Sequence, residues 1–410
     1  MESTVLIGLQ DPRTKREEAV ESLNELALLV KTVGGKVVHT FIQKRNRIES
    51  AYLIGKGKVE EITHLVQTNG ITTVIFDEEL SPAQQRNLED LIGTKILDRT
   101  RLILDIFAQR AKTKEGILQV ELAQLTYLLP RLTGRGIMFS QQLGGIGTRG
   151  PGERELEYDR RHIRQRILHL EKEIEKVSKQ REIQREKRKE IPVVAIVGYT
   201  NVGKSTLLNT LTKKYTAYVD DKLFATLDPT TRRVNLPGGL KVLFTDTVGF
   251  IYKLPHHLVT AFRATLEETK EADLLIHLID PTHRQWKQQI NVVNNVLKEL
   301  GISSKPQIMV YNKIDLLKTN DYLRLGWRDK IILISALTGE GVEELLKEIN
   351  KFFEKKLISL EVSIPYNKSK IISQIRLNSV ILKEKYEDLA IYLKLKTSWS
   401  TANKLQEFIR

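Results

Sequence analysis

The chain has 410 residues, 41% hydrophobic and 28% charged, a balance that excludes wholesale disorder and leaves ample sequence for two or three buried cores. Lysine and arginine number 65 against 51 aspartates and glutamates, and the net charge of +14 favours polyanionic partners, nucleic acid first among them. Cysteine is absent, which excludes disulfide frameworks, thiolate zinc sites and thiol nucleophiles. No segment approaches the ~18 apolar residues that span a bilayer, and Met1–Gln10 lacks a basic leader, so a soluble cytoplasmic protein is expected.

In chain order, short apolar runs first alternate with helical patterns. Thr4–Leu9, Val37–Gln43 and Thr72–Phe76 read as strands and Lys15–Val33 as an amphipathic helix stopped by Gly34-Gly35. Ser81-Pro82 is a cap followed by a first-turn proline. Such β/α alternation predicts a parallel sheet in a first domain over residues 1–100.

From 101 to 190 the strand signal is lost. Leu118, Leu122, Leu125 and Leu129 recur at helical spacing until Pro130, and Ile163, Ile167, Leu170, Ile174 and Val177 form a second apolar seam. That seam spans only ~2 heptads, too short for a free-standing coiled coil, and an antiparallel helical hairpin is expected. Between the two runs lies Gly144–Gly152, too glycine-rich for a regular element; it reads equally as a functional loop and as a plain surface excursion. Residues 154–190 hold 13 Lys or Arg against 9 Asp or Glu, so this arm is mixed in charge and the basic excess is spread over the chain. Many weak phosphate contacts on a large RNA would use such a distribution; lysine-rich composition without a partner would produce it too.

A third domain, 191–355, opens on the buried-strand pattern Pro192–Val197 and continues with strands and helices in turn, and the tail, 356–410, reads strand, helix, two strands, helix. Directly after the opening strand comes Gly198-Tyr199-Thr200-Asn201-Val202-Gly203-Lys204-Ser205, the spacing of a phosphate-binding loop, followed by the helical run Thr206–Leu211. Its glycines let backbone N–H groups converge on phosphate oxygens, Lys204 adds a point charge, and Ser205 offers a hydroxyl to Mg²⁺.

Downstream, the strand Lys241–Thr245 ends in Asp246-Thr247-Val248-Gly249, with a carboxylate where an outer Mg²⁺ ligand belongs. Asn312-Lys313-Ile314-Asp315 follows the strand Ile308–Tyr311, and Ser335-Ala336-Leu337 follows Lys330–Ile334. Each short string alone is a common turn; their order and shared strand-end placement are not. Asp315 can accept from guanine N1–H and the exocyclic amine together, a donor pair adenine lacks, so the base is expected to be guanine.

This motif set resembles the translation-factor-related GTPases, and flanking residues narrow the resemblance to the HflX family. Phe224-Ala225-Thr226-Leu227-Asp228-Pro229-Thr230-Thr231-Arg232-Arg233 is similar to that family's first switch, and Gly147–Glu153 to its signature loop. Tyr52–Lys58 and Asp98-Arg99-Thr100 also resemble it. The resemblance implies an α/β protein: a P-loop GTPase domain, mostly parallel sheet with flanking helices, preceded by an α/β domain with a helical hairpin and followed by a small α+β tail.

It further implies that Phe224–Asp228 closes over GTP or GDP and that Thr226 contacts Mg²⁺ and the γ-phosphate, although by residue type alone Thr230 or Thr231 competes for that role. Lys204, Thr226 and Gly249 are then the candidate catalytic residues, and Ser205 and Thr226 the candidate metal ligands. The expected partner is the large (50S) ribosomal subunit and its RNA, bound by a protein that is monomeric off the ribosome and splits, rescues or helps build ribosomes. An ATP-driven RNA remodeller and a nucleotide-stabilised assembly scaffold are the competing readings.

Two departures stand out. Phe250 follows Gly249 where many regulatory GTPases carry a water-orienting glutamine, so slow intrinsic turnover is expected, with the missing function supplied from elsewhere. In the signature region Glu153-Arg154-Glu155-Leu156-Glu157-Tyr158-Asp159 replaces the commoner Glu-Thr-Gln-Leu-Glu-Thr-Asp; Arg154 and Tyr158 read either as RNA contacts or as a solvated helix start.

Overall fold

The computed structural model describes residues 2–12, 15–45, 49–132, 151–186, 191–212, 223–255, 258, 268–317 and 331–409. The glycine-rich stretch 144–150 therefore lies outside the described residues. The chain divides into two compact units. The first comprises Met1–Ser178, Asp220–Leu227 and Tyr252–Arg263, and the second Lys179–Val219, Asp228–Ile251 and Ala264–Arg410.

The first unit begins with β1 (Ser3–Gln10), α1 (Arg16–Thr32), β2 (Lys36–Lys44), α2 (Lys56–Asn69), β3 (Thr73–Phe76), α3 (Pro82–Ile92) and β4 (Lys95–Asp98). The strands form a sheet in the order β2-β1-β3-β4, parallel throughout. This follows from the expected β/α alternation, since parallel neighbours need a crossover. α1 stops where Gly34 takes φ +85° and the Gly35 N–H returns to the Val30 carbonyl. α3 starts on a reciprocal cap: Gln84 N–H donates to Ser81 Oγ at 3.2 Å, and Ser81 N–H donates to Gln84 Oε1 at 3.0 Å. One face of the sheet packs Val5, Ile7, Val74, Phe76 and Ile96 against Val59, Ile62, Leu88 and Ile92 of the helices.

α4 (Arg99–Arg110), α5 (Lys114–Leu128) and α6 (Pro151–Glu186) follow, with no strand among the described residues of this stretch. The seam on α6 lies as expected: Leu170 is buried and Ile163, Ile167, Ile174 and Val177 are half-buried. Arg166 of α6 donates through Nε and Nη2 to both carboxylate oxygens of Glu121 on α5, at 2.7 and 2.9 Å, as a helical hairpin requires. On α5 the buried set differs from the leucine ladder: Glu115, Leu118, Gln119, Ala123 and Tyr127 are inside, whereas Leu122, Leu125 and Leu129 are only half-buried. The two polar members meet each other, Gln119 Nε2 donating to Glu115 Oε1 at 3.2 Å inside the core.

The second unit carries β5 (Val193–Gly198), α7 (Lys204–Thr212), β6 (Thr230–Asn235), β7 (Lys241–Asp246), β8 (Leu274–Ile279), α8 (Trp286–Glu299), β9 (Gln307–Tyr311), β10 (Ile332–Leu333) and α9 (Val342–Glu354). The sheet order is β10-β9-β8-β5-β7-β6, parallel except that β6 runs antiparallel to β7. β5 is the central strand, its residues Val194–Val197 fully buried. The order reverses across β5, with β8 on one side and β7 on the other, which opens a crevice at the carboxyl ends of the strands.

The tail adds β11 (Ile358–Pro365), α10 (Ser369–Asn378), β12 (Val380–Tyr386), β13 (Ala390–Thr397) and α11 (Trp399–Lys404), an antiparallel sheet of order β11-β13-β12 with its own apolar cluster. No helix of the described residues is long and apolar enough to cross a membrane.

Candidate nucleotide-binding site

The loop between β5 and α7 wraps around a lysine. Lys204 Nζ donates to the carbonyls of Tyr199 (2.8 Å) and Gly198 (3.3 Å), and burial brings its pKa down to about 8, partly opposed by the nearby Asp246 carboxylate. Two loop residues take left-handed backbone, Asn201 at φ +60° and Gly203 at φ +95°. Gly203 is required on a second count, because a Cβ there would collide with the Asn312 amide.

Ser205 opens α7 and its Oγ donates to Asp246 Oδ2 at 2.6 Å, so the hydroxyl and the strand-end carboxylate meet at one point. Asp246 itself is fully buried at the end of β7. The next three residues are held against the same loop. Thr247 Oγ1 donates to the Ile196 carbonyl at 2.7 Å, and Val248 is buried. A Cβ on Gly249 would stand 2.8 Å from Thr200 Cγ2 and 3.0 Å from Lys204 Nζ, so only glycine fits. Phe250 is 2% exposed and bridges back in parallel to Tyr199: its N–H donates to the Gly198 carbonyl and its own carbonyl accepts from Thr200 N–H. Its ring is core, and it has no polar group with which to hold a water.

Asn312, at the end of β9 and 2% exposed, ties three loops together. Its Nδ2 donates to the Val202 carbonyl of the phosphate loop, and its Oδ1 accepts from the Ala336 N–H, both at 2.7 Å. Thr210 Oγ1 on α7 donates to the Ala336 carbonyl at 2.6 Å. Lys313 takes φ +63° and pairs with Asp280 Oδ2 at 2.7 Å. Ile314 is buried, with its N–H donating to the Ile334 carbonyl, while Asp315 follows it, exposed, on a short turn of helix, Ile314–Leu316. Ser335 is buried and its Oγ accepts from Thr338 N–H at 3.2 Å; Leu337 next to it is 77% exposed.

The structure thus brings together, within the second unit, residues Gly198–Ser205, Asp246–Gly249, Asn312–Asp315 and Ser335–Leu337. Thr230 and Thr231, the competitors of Thr226, are in β6: Thr231 Oγ1 lies 3.0 Å from Thr245 Oγ1, and Thr230 is in register with Asp246. Asp228 also belongs to the second unit, whereas Phe224, Ala225, Thr226 and Leu227 group with the first, where the Phe224 ring sits edge-on to Phe107 at 4.7 Å. Tyr158, on α6, is 62% exposed and meets the His162 ring edge-on at 4.4 Å. Sequence reasoning missed β6 and the double tie of Asn312; a β-branched pair, Thr230-Thr231, was the available signal for the former.

A buried lysine in a glycine-containing loop at the reversal point of a parallel sheet, a hydroxyl–carboxylate pair beside it, and an Asn-Lys-x-Asp turn locked to that loop define a P-loop GTPase. Family models cover most of the chain: GTP-binding GTPase N-terminal over residues 20–108, GTP-binding GTPase Middle Region over 110–188, 50S ribosome-binding GTPase over 193–313, and HflX C-terminal domain over 322–409. GTPase HflX of Caldanaerobacter subterraneus subsp. tengcongensis is 49% identical over 394 residues, covering 96% of this chain and 91% of that one. GTPase HflX of Escherichia coli is 42% identical over 380 residues, covering 91% and 88%. The chain belongs to the HflX family of GTPases, and it is a GTP-binding enzyme that hydrolyses GTP.

Proposed function

We propose that this GTPase depends on Mg²⁺ and uses its nucleotide state to gate binding to the large ribosomal subunit, acting in ribosome splitting, rescue or assembly. The observation that carries the nucleotide chemistry is the single constellation of Lys204, Ser205, Asp246 and Asn312 around one loop. The ribosomal partner is supported by the match of residues 193–313 to a family described as ribosome-binding and by the net charge of +14. The protein is proposed to be monomeric off the ribosome and cytoplasmic.

The residues fit a divalent cation: a serine hydroxyl and a buried carboxylate meet at 2.6 Å, an all-oxygen donor set of the kind Mg²⁺ takes. Ser205 and Thr226 would hold the ion, with Asp246 ordering its outer shell. When bound, Mg²⁺ neutralises charge on the β- and γ-phosphate oxygens. The loop N–H groups and the Lys204 ammonium hold the same phosphates. Hydrolysis forms a bond from a water oxygen to the γ-phosphorus and breaks the bond from that phosphorus to the β–γ bridging oxygen, leaving GDP and phosphate. Gly249 brings a backbone N–H to the γ-phosphate, and Asp315 reads the guanine edge. Phe250 leaves the attacking water without a side-chain partner at its position, so intrinsic turnover is slow and the ribosome supplies what is missing.

Sedimentation with separated subunits in GTP-analogue, GDP and nucleotide-free states tests this reading, alongside turnover with and without subunits. Binding to the large subunit that follows the nucleotide, with turnover accelerated by it, is expected. Equal turnover without ribosomes removes partner stimulation; equal use of ATP points instead to an RNA remodeller, and binding without turnover to an assembly scaffold.

A further inference from the structure

Two adjoining peptide groups in the Ser335–Leu337 turn of the second unit are held in different ways. The one between Ser335 and Ala336 is engaged at both ends: the Ser335 carbonyl accepts from Gly339 N–H at 2.8 Å, and Ala336 N–H donates to Asn312 Oδ1 at 2.7 Å. The next, between Ala336 and Leu337, has a single hydrogen bond among the described residues, and it comes from another element. Thr210 Oγ1 on α7 donates to the Ala336 carbonyl at 2.6 Å. Asn312 does not stand in for Thr210, because the 336–337 peptide can turn about its flanking bonds without disturbing those that fix its neighbour.

This is not the bond that a helical threonine makes by default. Thr32, Thr63 and Thr126 each donate to the carbonyl four residues earlier, at 2.8 Å. Thr210 has the same kind of acceptor, Thr206, at 3.0 Å, but its single proton has the shorter path to Ala336. α7 gives it a firm base, since Leu207 and Leu208 are fully buried and the helix starts at Lys204 and Ser205 of the phosphate loop. One short helix therefore carries the phosphate loop at its first turn and grips the turn after β10 from its second. A trans peptide points its C=O and N–H in opposite directions. With the Ala336 carbonyl drawn onto α7, the Leu337 N–H is turned away from that helix. Leu337 is 77% exposed, and its N–H makes no hydrogen bond among the described residues.

We propose that Thr210 is a positioning residue for the guanine base: its hydroxyl sets the 336–337 peptide so that the Leu337 N–H faces the bound base as a donor. The inference rests on the reading of Asn312–Asp315 and Ser335–Leu337 as the base-binding segments. With Asp315 accepting from the N1–H and the exocyclic amine, the carbonyl oxygen on carbon 6 is the polar atom of that edge still to be matched. A backbone N–H suits this acceptor and opposes the amine that adenine carries at the same place. Thr210 touches neither base nor phosphate; it acts through Ala336 and Leu337. The base is held alike in the ground state and the transition state, so losing the hydroxyl raises KM and leaves kcat.

The test is stopped-flow dissociation of GDP, with steady-state GTP hydrolysis and a thermal melt, on the full-length protein carrying Thr210→Val, Thr210→Ala, Thr210→Ser or Asp315→Ala. Thr210→Val should release GDP about five- to tenfold faster and raise KM for GTP by a similar factor, with kcat at least half that of the parent. Thr210→Ser, which keeps the hydroxyl, should recover more than half of both effects. Parental GDP release in a well-folded Thr210→Val protein overturns the proposal, as does a loss confined to kcat or one that serine does not recover. If Thr210→Val does not fold, Thr210→Ala decides in its place by the same criteria. Asp315→Ala separates the proposal from the reading beneath it. Faster GDP release there, with parental release in the Thr210 variants, overturns the proposal alone; parental release in all of them overturns the base site with it.

Discussion

Ser205 Oγ donates to Asp246 Oδ2 at 2.6 Å, joining the first turn of α7 to the last residue of β7. The bond aligns the hydroxyl with the carboxylate, and in the proposed reading both groups would serve the same cation. Ser205→Ala should raise the Mg²⁺ concentration for half-maximal GTP hydrolysis at least tenfold, and Asp246→Asn should do so by a comparable factor. A magnesium titration of initial rates checks this; parental magnesium dependence in both variants would remove the pair from the metal site.

Asn312 makes two buried hydrogen bonds, to Val202 and from Ala336. Alanine leaves a buried carbonyl and a buried N–H without those partners, which costs about 2–4 kcal/mol by the usual penalty for unsatisfied groups. Asn312→Ala should lose stability by that amount in urea unfolding and weaken GDP binding together with it. Asn312→Asp should retain the acceptor half only, and fall between.

Asp315 is exposed, and in the proposed reading its carboxylate accepts from the guanine edge. An asparagine in its place would present an amide donor where a carboxylate accepted, which suits a base carrying a carbonyl in place of the exocyclic amine. Competition binding should therefore show Asp315→Asn losing GDP affinity by about 10²-fold or more and preferring xanthosine diphosphate. Unchanged preference for GDP would place base recognition elsewhere.

His277 lies within β8, 2% exposed, and burial, then the charge of Lys204, brings its pKa from 6.5 down to about 4. Between pH ~6.5 and ~4 the unfolded chain binds a proton that the folded chain refuses, so stability falls as pH falls through that window. The full effect is about 3 kcal/mol. His277→Gln should reduce the difference in unfolding free energy between pH 7 and pH 4.5 by roughly 2 kcal/mol, read from urea titrations at both pH values.

Much of the fold was legible because its cores are written in local patterns. The apolar runs Val193–Val197 and Ile308–Tyr311 are strands, and the four-and-three spacing of Ile163 to Val177 is the inner face of α6. The leucine spacing on α5 marked a helix, as expected, but not its buried set, because Glu115 and Gln119 lie inside and polar burial carries no periodic signature. Phosphate-loop, Asp246 and Asn312 motifs were readable since each sits at a strand end with a fixed spacing. Arg99–Asp77 and Lys253–Asp77 were not, since the partners are separated by 22 and 176 positions and a charge pair leaves no trace in either local sequence.

The antiparallel pairing of Thr230–Asn235 with β7 sets a boundary upstream of itself. Thr226 precedes the first ladder position by four residues, a tether of at most ~14 Å when fully drawn out. While that edge strand remains zipped, the covalent path from the threonine to Thr230 can be no longer than that span. Lengthening or shortening residues 227–229 by a single amino acid would change that upper limit without altering either end of the path.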